Sequence, residues 1–219
     1  MLPDDYSKPL EQRSSAGRQR RLSEKWDVVK EDYKTPHPWQ KKRSDERKLG
    51  LIMVNTGPGK GKTTAALGLA LRALGHNHKV KIVQFMKGDP FFGELLLRER
   101  LPELDIAQYG LDRFVDPRNP QPGDISKALE GFAAAKQAIL GGAYNVVILD
   151  EVNVAMSFGL VPIAEMVEVL RQKPKHVEVI LTGRDAPPAI LEIADYVNEV
   201  IDVKHPYKNK IPARVGIEF

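Results

Sequence analysis

The stretch LIMVNTGPGKGKTTAALGLALRAL (Leu51–Leu74) decides the fold. Its first five residues form a nearly unbroken apolar run, the texture of a strand buried on both faces. GPGKGK follows, and then a segment rich in helix formers that Gly75 closes. A strand, a glycine-rich turn and a helix in that order make an anion cradle. Gly57, Gly59 and Gly61 let backbone N–H groups turn inward, and the helix starting near Lys62 adds its positive end. The general phosphate-loop pattern G-x-x-x-x-G-K-[ST] is met in its second half by Gly61-Lys62-Thr63. It fails at its first position, where Thr56 stands in place of glycine. A glycine-rich turn with chance lysines is the alternative, and the flanking strand and helix argue against it. Gly57, Pro58, Gly59, Lys60, Gly61, Lys62, Thr63 and Thr64 are therefore read as nucleotide-binding, with the Thr63 hydroxyl in reach of Mg²⁺.

Outward from this unit the chain alternates between strands and helices. Val80–Phe85 (VKIVQF) reads as a second strand, Asp105–Tyr109 (DIAQY) as a weaker third, Asn145–Asp150 (NVVILD) as a buried fourth and Val177–Gly183 (VEVILTG) as a fifth. Val197–Val203 (VNEVIDV) closes the series. Helices are predicted at Glu94–Arg100, from Asp124 as cap to about Leu140, around Pro162–Arg171, and at Pro187–Ala194. A long loop with three prolines spans Gly110–Gly123. The pattern is an α/β protein, a mostly parallel sheet with helices on both faces.

Open sheets of this kind gather ligands at the carboxyl ends of their strands. Asp150-Glu151 follow the apolar run VVIL, where an acid contacting the metal or its water belongs. A pair of helix-capping acids is the bland alternative. Arg184, after Thr182-Gly183, is a candidate phosphate or ribose contact, and Lys87, which ends the second strand at the same rim, is a candidate phosphate or substrate contact. Phe91-Phe92 are read as a local core or as a contact for a flat ligand. The five histidines form no metal pattern, and no Ser–His–acid set is readable.

The 219 residues carry 33 Lys+Arg against 29 Asp+Glu, a formal charge of +4. The excess lies in the first fifty residues, which hold 13 basic and nine acidic side chains; the rest is balanced. A field that binds polyanions over the whole molecule is thereby doubtful. Trp26, Tyr33 and Trp39 in the arm are aromatics that would favour a nucleic-acid partner, but the charges around them are mixed. The chain is divided into a basic, polar arm at 1–48, with a thin helical stripe of Leu22, Trp26, Val29 and Tyr33, and a domain at 49–219. Cysteine is absent, which excludes disulfides, thiolate metal sites and cysteine nucleophiles and fits a cytoplasmic location. No apolar run approaches the ~20 residues that span a bilayer, and no secretory signal is expected.

Taken together, TGPGKGKTTAALG (Thr56–Gly68), VQFMKG (Val83–Gly88), ILDEVN (Ile148–Asn153), LTGRDAP (Leu181–Pro187) and the ending VKHPY…GIEF resemble the ATP:corrinoid adenosyltransferases that act on cobyrinic acid a,c-diamide and cobalamin. The resemblance covers about Gly50 to Phe219. That family has a non-glycine residue where Thr56 sits, so the defect in the general motif becomes a mark of likeness. The resemblance implies a RecA-like phosphate-loop fold and transfer of the 5′-deoxyadenosyl group of ATP to reduced Co(I) of a corrinoid, with triphosphate released. It implies Gly57–Thr63 as the triphosphate cradle and Lys62, Thr63 and Glu151 as the catalytic set. Thr63 and Glu151, with Asp150 beside them, become ligands of Mg²⁺ or Mn²⁺. It further implies a homodimer, a reductase that supplies electrons, and an N-terminal segment that covers the corrinoid. Where the family has G-F-T-W after its third strand, this chain reads Gly110-Leu111-Asp112-Arg113-Phe114, which puts the corrinoid-facing surface in question. The rival on the same fold is an ATP-hydrolysing or phosphoryl-transferring phosphate-loop NTPase, which needs a residue to orient water or an acceptor at the γ-phosphate.

Overall fold

The computed structural model describes residues 50–219. The helical stripe expected in the arm lies outside the described residues. Six strands form one sheet: β1 (Ile52–Thr56), β2 (Val80–Phe85), β3 (Leu104–Tyr109), β4 (Val146–Asp150), β5 (Glu178–Thr182) and β6 (Tyr196–Glu199). Their order is β3-β2-β4-β5-β1-β6, and every pairing is parallel. The helices are α1 (Lys62–Leu74), α2 (Gly93–Leu96) running into a 3₁₀ turn at Leu97–Glu99, α3 (Pro122–Leu140), α4 (Val152–Ser157), α5 (Ile163–Gln172) and α6 (Pro188–Ile193). A further 3₁₀ turn spans Pro206–Asn209. The α/β, phosphate-loop architecture expected from the sequence is the one observed.

The strands are apolar on both sides because both faces are covered. On one face Val83, Phe85, Val147, Leu149, Val179 and Leu181 pack with side chains of α3, α4, α5 and α6. On the other Val80, Ile82, Ile106, Ile148 and Ile180 meet α1. Helix α1 presents Ala66, Ala70 and Ala73 at i, i+4 and i+7, and these small side chains seat the helix low on the sheet. Truncating Ile148 there to alanine removes about 2–5 kcal/mol.

The face under α1 changes character at its carboxyl end. Gln84 is in register with Gln108 and Asp150, and Asn55 with Thr182 and Asn198. One rank of polar side chains therefore crosses all six strands just above the apolar floor. Asn198 donates to Asn55 at 2.9 Å, Gln108 to Gln84 at 3.2 Å, and Thr182 to Asp150 at 2.7 Å.

Several boundaries differ from the sequence reading. Helix α3 starts at Pro122, not at Asp124. Gln121 is its cap, and Asp124 completes a capping box by accepting from the Gln121 N–H at 2.9 Å. The predicted helix at Glu94–Arg100 is one α-turn followed by a 3₁₀ turn. The last strand stops at Glu199, because the chain then turns across the phosphate loop, where Gly59 N–H donates to the Val200 carbonyl at 2.8 Å. Helix α4 was not anticipated; VNVAMS holds two valines and an asparagine, which are indifferent helix formers, and tertiary packing overrides them. Among the described residues no helix is long and apolar enough to cross a membrane.

Candidate active site

The phosphate loop joins β1 to α1, and its glycines answer to two different constraints. Gly61 caps α1 with φ of 120°, a conformation that side-chain-bearing residues rarely adopt, although its surroundings are open. At Gly59 the constraint is space. A Cβ there would lie 2.6 Å from the carbonyl of Ile201, in the segment that crosses the loop. The Thr56 anomaly also has a structural role: its hydroxyl accepts the Ala186 N–H at 3.2 Å, tying the loop's entry to the turn after β5.

Lys62 is buried and folds back over the loop, donating to the carbonyls of Gly57 at 2.8 Å and Gly59 at 2.7 Å. Burial lowers its pKa, opposed chiefly by the charge of Glu151. Gly59, Lys60, Gly61, Lys62, Thr63, Thr64, Glu151 and Arg184 all line one cavity of about 810 Å³. Gly57 and Pro58 do not. Gly57 packs against Val200, and Pro58 opens on a smaller cleft that also holds Arg184, His205 and Tyr207.

Asp150 lies beneath the cavity, fully buried at the end of β4. All its acceptor capacity is engaged. Oδ1 accepts the hydroxyls of Thr63 and Thr182, each at 2.7 Å. Oδ2 accepts Lys87 Nζ at 2.6 Å and Gln84 Nε2 at 3.2 Å. Burial alone would raise the Asp150 pKa; the Lys87 charge and these hydrogen bonds outweigh it and hold the carboxyl below its ordinary range. Lys87 responds in kind: burial would lower it, and Asp150 raises it.

Glu151 is the opposite case. Its backbone is left-handed (φ 60°), and its N–H donates to Thr182 Oγ1 at 3.0 Å. Its carboxylate has no hydrogen-bond or ion-pair partner among the described residues and lines the cavity. Burial and the neighbouring Asp150 push its pKa up. An acid held without a partner beside a hydroxyl whose proton is already donated elsewhere suits a hard cation. The Thr63 hydroxyl and the Glu151 carboxylate thus fit a Mg²⁺ or Mn²⁺ ion that takes its remaining ligands from phosphate and water. Among the described residues no cluster of three or more His, Cys, Asp or Glu side chains offers a metal cage, and such an ion bound with substrate phosphates needs none.

The weaker sequence candidates separate. Phe92 lines the cavity, with Lys87 Nζ 4.9 Å from its ring centre, whereas Phe91 is exposed. Phe114 is fully exposed at the tip of the loop after β3. Arg113 beside it pairs with the buried Asp124 at 2.8 Å. His205 lines the cavity and accepts the Tyr207 N–H at 3.1 Å. Sequence reasoning assigned no role to Gln84 or Thr182, although both are polar residues ending otherwise apolar strands. It also missed that Gly216–Phe219 line the cavity, with Glu218 3.6 Å from Lys60. The arginine at 214 grips Glu218 and holds its carboxyl down at about 2.

The family model for ATP:corrinoid adenosyltransferase BtuR/CobO/CobP matches residues 48–219. A corrinoid adenosyltransferase of a Sinorhizobium species is 37% identical over 180 residues, covering 81% of this chain and 83% of that protein. That of Escherichia coli K12 is 38% identical over 176 residues, covering 80% and 87%. The Salmonella typhimurium LT2 enzyme is 34% identical over 175 residues, covering 80% and 88%. With its phosphate loop, its parallel sheet and the matched residues all falling in one domain, this chain belongs to the ATP:corrinoid adenosyltransferase family.

Proposed function

We infer that this chain is an enzyme that transfers the 5′-deoxyadenosyl group of ATP to the Co(I) centre of a corrinoid and releases triphosphate. The observation that carries the site assignment is the convergence of Lys62, Thr63, Glu151 and Arg184 on one cavity above a buried Asp150. In the reaction the Co(I) electron pair forms the bond to C5′, the C5′–O bond breaks, and triphosphate leaves with that bonding pair. Cobalt is formally oxidised to Co(III). Co(I) is nucleophilic enough to need no general base.

The chain's task is to hold, orient and stabilise. The N–H groups of Lys60–Thr63 and the Lys62 ammonium neutralise charge on the departing triphosphate. To do so Lys62 exchanges its two carbonyl partners for phosphate oxygens. Arg184 and Lys60 flank the same anion. Thr63 and Glu151 would hold a Mg²⁺ or Mn²⁺ ion, which when bound would supply Lewis-acid stabilisation of the leaving group. The reaction also requires that water be kept from C5′, since its entry would favour hydrolysis. The same reading implies a cytoplasmic homodimer, a reductase that delivers Co(I), and an arm at 1–48 that covers the corrinoid. Deleting residues 1–40 is expected to leave ATP binding intact and to weaken turnover with corrinoid; unchanged turnover would remove that role from the arm.

The function is tested by incubating ATP with and without reduced corrinoid. Triphosphate formed only in the presence of corrinoid is the expected result. Formation of ADP or phosphate without corrinoid would instead assign the chain to phosphoryl transfer or hydrolysis.

A further inference from the structure

Among the described residues Lys87 is the only charged donor on Asp150, and it reaches that carboxylate from an unusual backbone. Met86, just before it, is left-handed at φ 55° and donates its N–H to the Tyr109 carbonyl at 3.0 Å. The turn that follows is pressed against the loop after β3. A Cβ on Gly110 would collide with the backbone N of Lys87 and lie 2.5 Å from the Met86 carbonyl carbon. A Cβ on Gly88 would lie 2.8 Å from the carbonyl carbon of Leu111. Backbone therefore stacks on backbone without room for a methyl group, and the root of the Lys87 side chain is fixed. Its tip is fixed as well, by Asp150 at 2.6 Å and by the Phe92 face.

The hydrogen-bond polarities at Asp150 give this fixed lysine a consequence. A threonine hydroxyl has one proton and two lone pairs. Thr63 gives its proton to Asp150 Oδ1, which leaves its lone pairs for a cation. Thr182 gives its proton to the same oxygen, and its lone pair then accepts the N–H of Glu151. One carboxylate oxygen thus sets the direction of both hydroxyls. That holds only while the carboxylate keeps its rotation, and Lys87 with Gln84 fixes the rotation by occupying Oδ2. Gln84 is itself held, donating to Glu94 at 2.9 Å and accepting from Gln108.

We propose that Lys87 is a positioning residue for the metal–nucleotide site, acting through Asp150 to point the Thr63 lone pairs at the cation rather than touching the triphosphate itself. The proposal rests on the reading of this cavity as the ATP site and adds a role that the reading does not contain. It separates two properties that a direct phosphate contact would join. Loss of Lys87 weakens the use of metal and leaves the metal-independent grip of the phosphate loop unchanged.

The experiment is calorimetric titration of the full chain with ATP, first in EDTA and then across a series of Mg²⁺ concentrations, for wild type, Lys87→Met and Lys87→Gln. No corrinoid is present, so the outcome does not depend on adenosyl transfer. Wild-type protein that binds no ATP would overturn the nucleotide site itself and is seen before any variant is compared. The proposal expects the half-saturating Mg²⁺ to rise at least about tenfold in both variants, the scale on which groups behind a metal ligand act, with the affinity for ATP in EDTA within about twofold of wild type. Lys87→Gln keeps a hydrogen-bond donor without the charge, so it provides the comparison if Lys87→Met does not fold. Unchanged Mg²⁺ dependence overturns the proposal. So does a comparable loss of ATP affinity in EDTA, which would make Lys87 a direct phosphate contact.

Discussion

Thr63 on α1 and Thr182 at the end of β5 donate their hydroxyl protons to the same oxygen of Asp150, each at 2.7 Å. The two threonines come from different strand–helix units, and the shared acceptor sits on a third. Strand β5 lies between β1 and β4 in the sheet, so Thr182 bridges the phosphate loop to the acid pair Asp150-Glu151. The site is a join between three carboxyl ends, and its parts are expected to fail together.

Thr182→Val tests that join. The substitution keeps the volume, but it leaves the Glu151 N–H without its acceptor and removes one of the two donors to Asp150 Oδ1. Thr182 is fully buried, so the loss is expected at about 1–3 kcal/mol. Urea unfolding reads it. The half-saturating Mg²⁺ for ATP binding is expected to rise in the same variant, because Glu151 loses the contact that sets its turn. A variant as stable as wild type would show that Thr182 only fills space.

Gly110→Ala tests the loop that anchors Lys87. The added methyl group has no space beside Met86 and Lys87, so the turn must move. The expected outcome is a raised Mg²⁺ requirement with no change in any charged residue, read by the same calorimetric titration. An unaltered requirement would show that the turn yields without disturbing Asp150.

Glu178 offers a pH test away from the site. Its carboxylate accepts the Leu51 N–H at 2.7 Å, where the chain enters β1. Burial pushes its pKa above the ordinary 4.5, and the Leu51 hydrogen bond and the Lys173 charge offset this only in part. The folded chain therefore holds this proton more tightly than the unfolded chain does. Glu178 is most favourable to folding below pH 4.5, and that contribution is lost as pH rises through the folded value. Glu178→Gln removes the term. The stability of the variant relative to wild type is expected to increase between pH 4.5 and 7, measured by urea midpoints. A difference that stays constant across that interval would contradict the assigned shift.

Much of this site is visible in the sequence, for physical reasons that can be named. The phosphate loop is local: Gly57 to Thr63 lie in one turn, and glycine spacing with a following helix reports their geometry directly. Glu151 and Arg184 are legible because each follows a buried apolar run, and the carboxyl ends of parallel strands converge. Gln84 and Thr182 are less legible. Each is a single polar residue at a strand end, and its function depends on the register that brings it beside Asp150 across neighbouring strands. Lys87 is ambiguous in sequence because its partner is 63 residues away. The early end of β6 and the placement of Gly216–Phe219 at the cavity arise from chain crossings that no local pattern encodes. Helix α4 was missed because burial of Val152, Ala155 and Met156 decides it, against weak local propensity.

The central claim is that the phosphate-loop cavity delivers the 5′-deoxyadenosyl group of ATP to a corrinoid. The most direct measurement mixes ATP, Mg²⁺ and chemically reduced cobalamin with the full chain, and quantifies triphosphate and the cobalt–carbon product together, for wild type and Lys62→Ala. The account predicts equal amounts of triphosphate and adenosylated corrinoid in wild type, none without corrinoid, and loss of both products in a folded Lys62→Ala variant. Wild-type release of ADP or phosphate independent of corrinoid, or Lys62→Ala transfer at the wild-type rate, would contradict it.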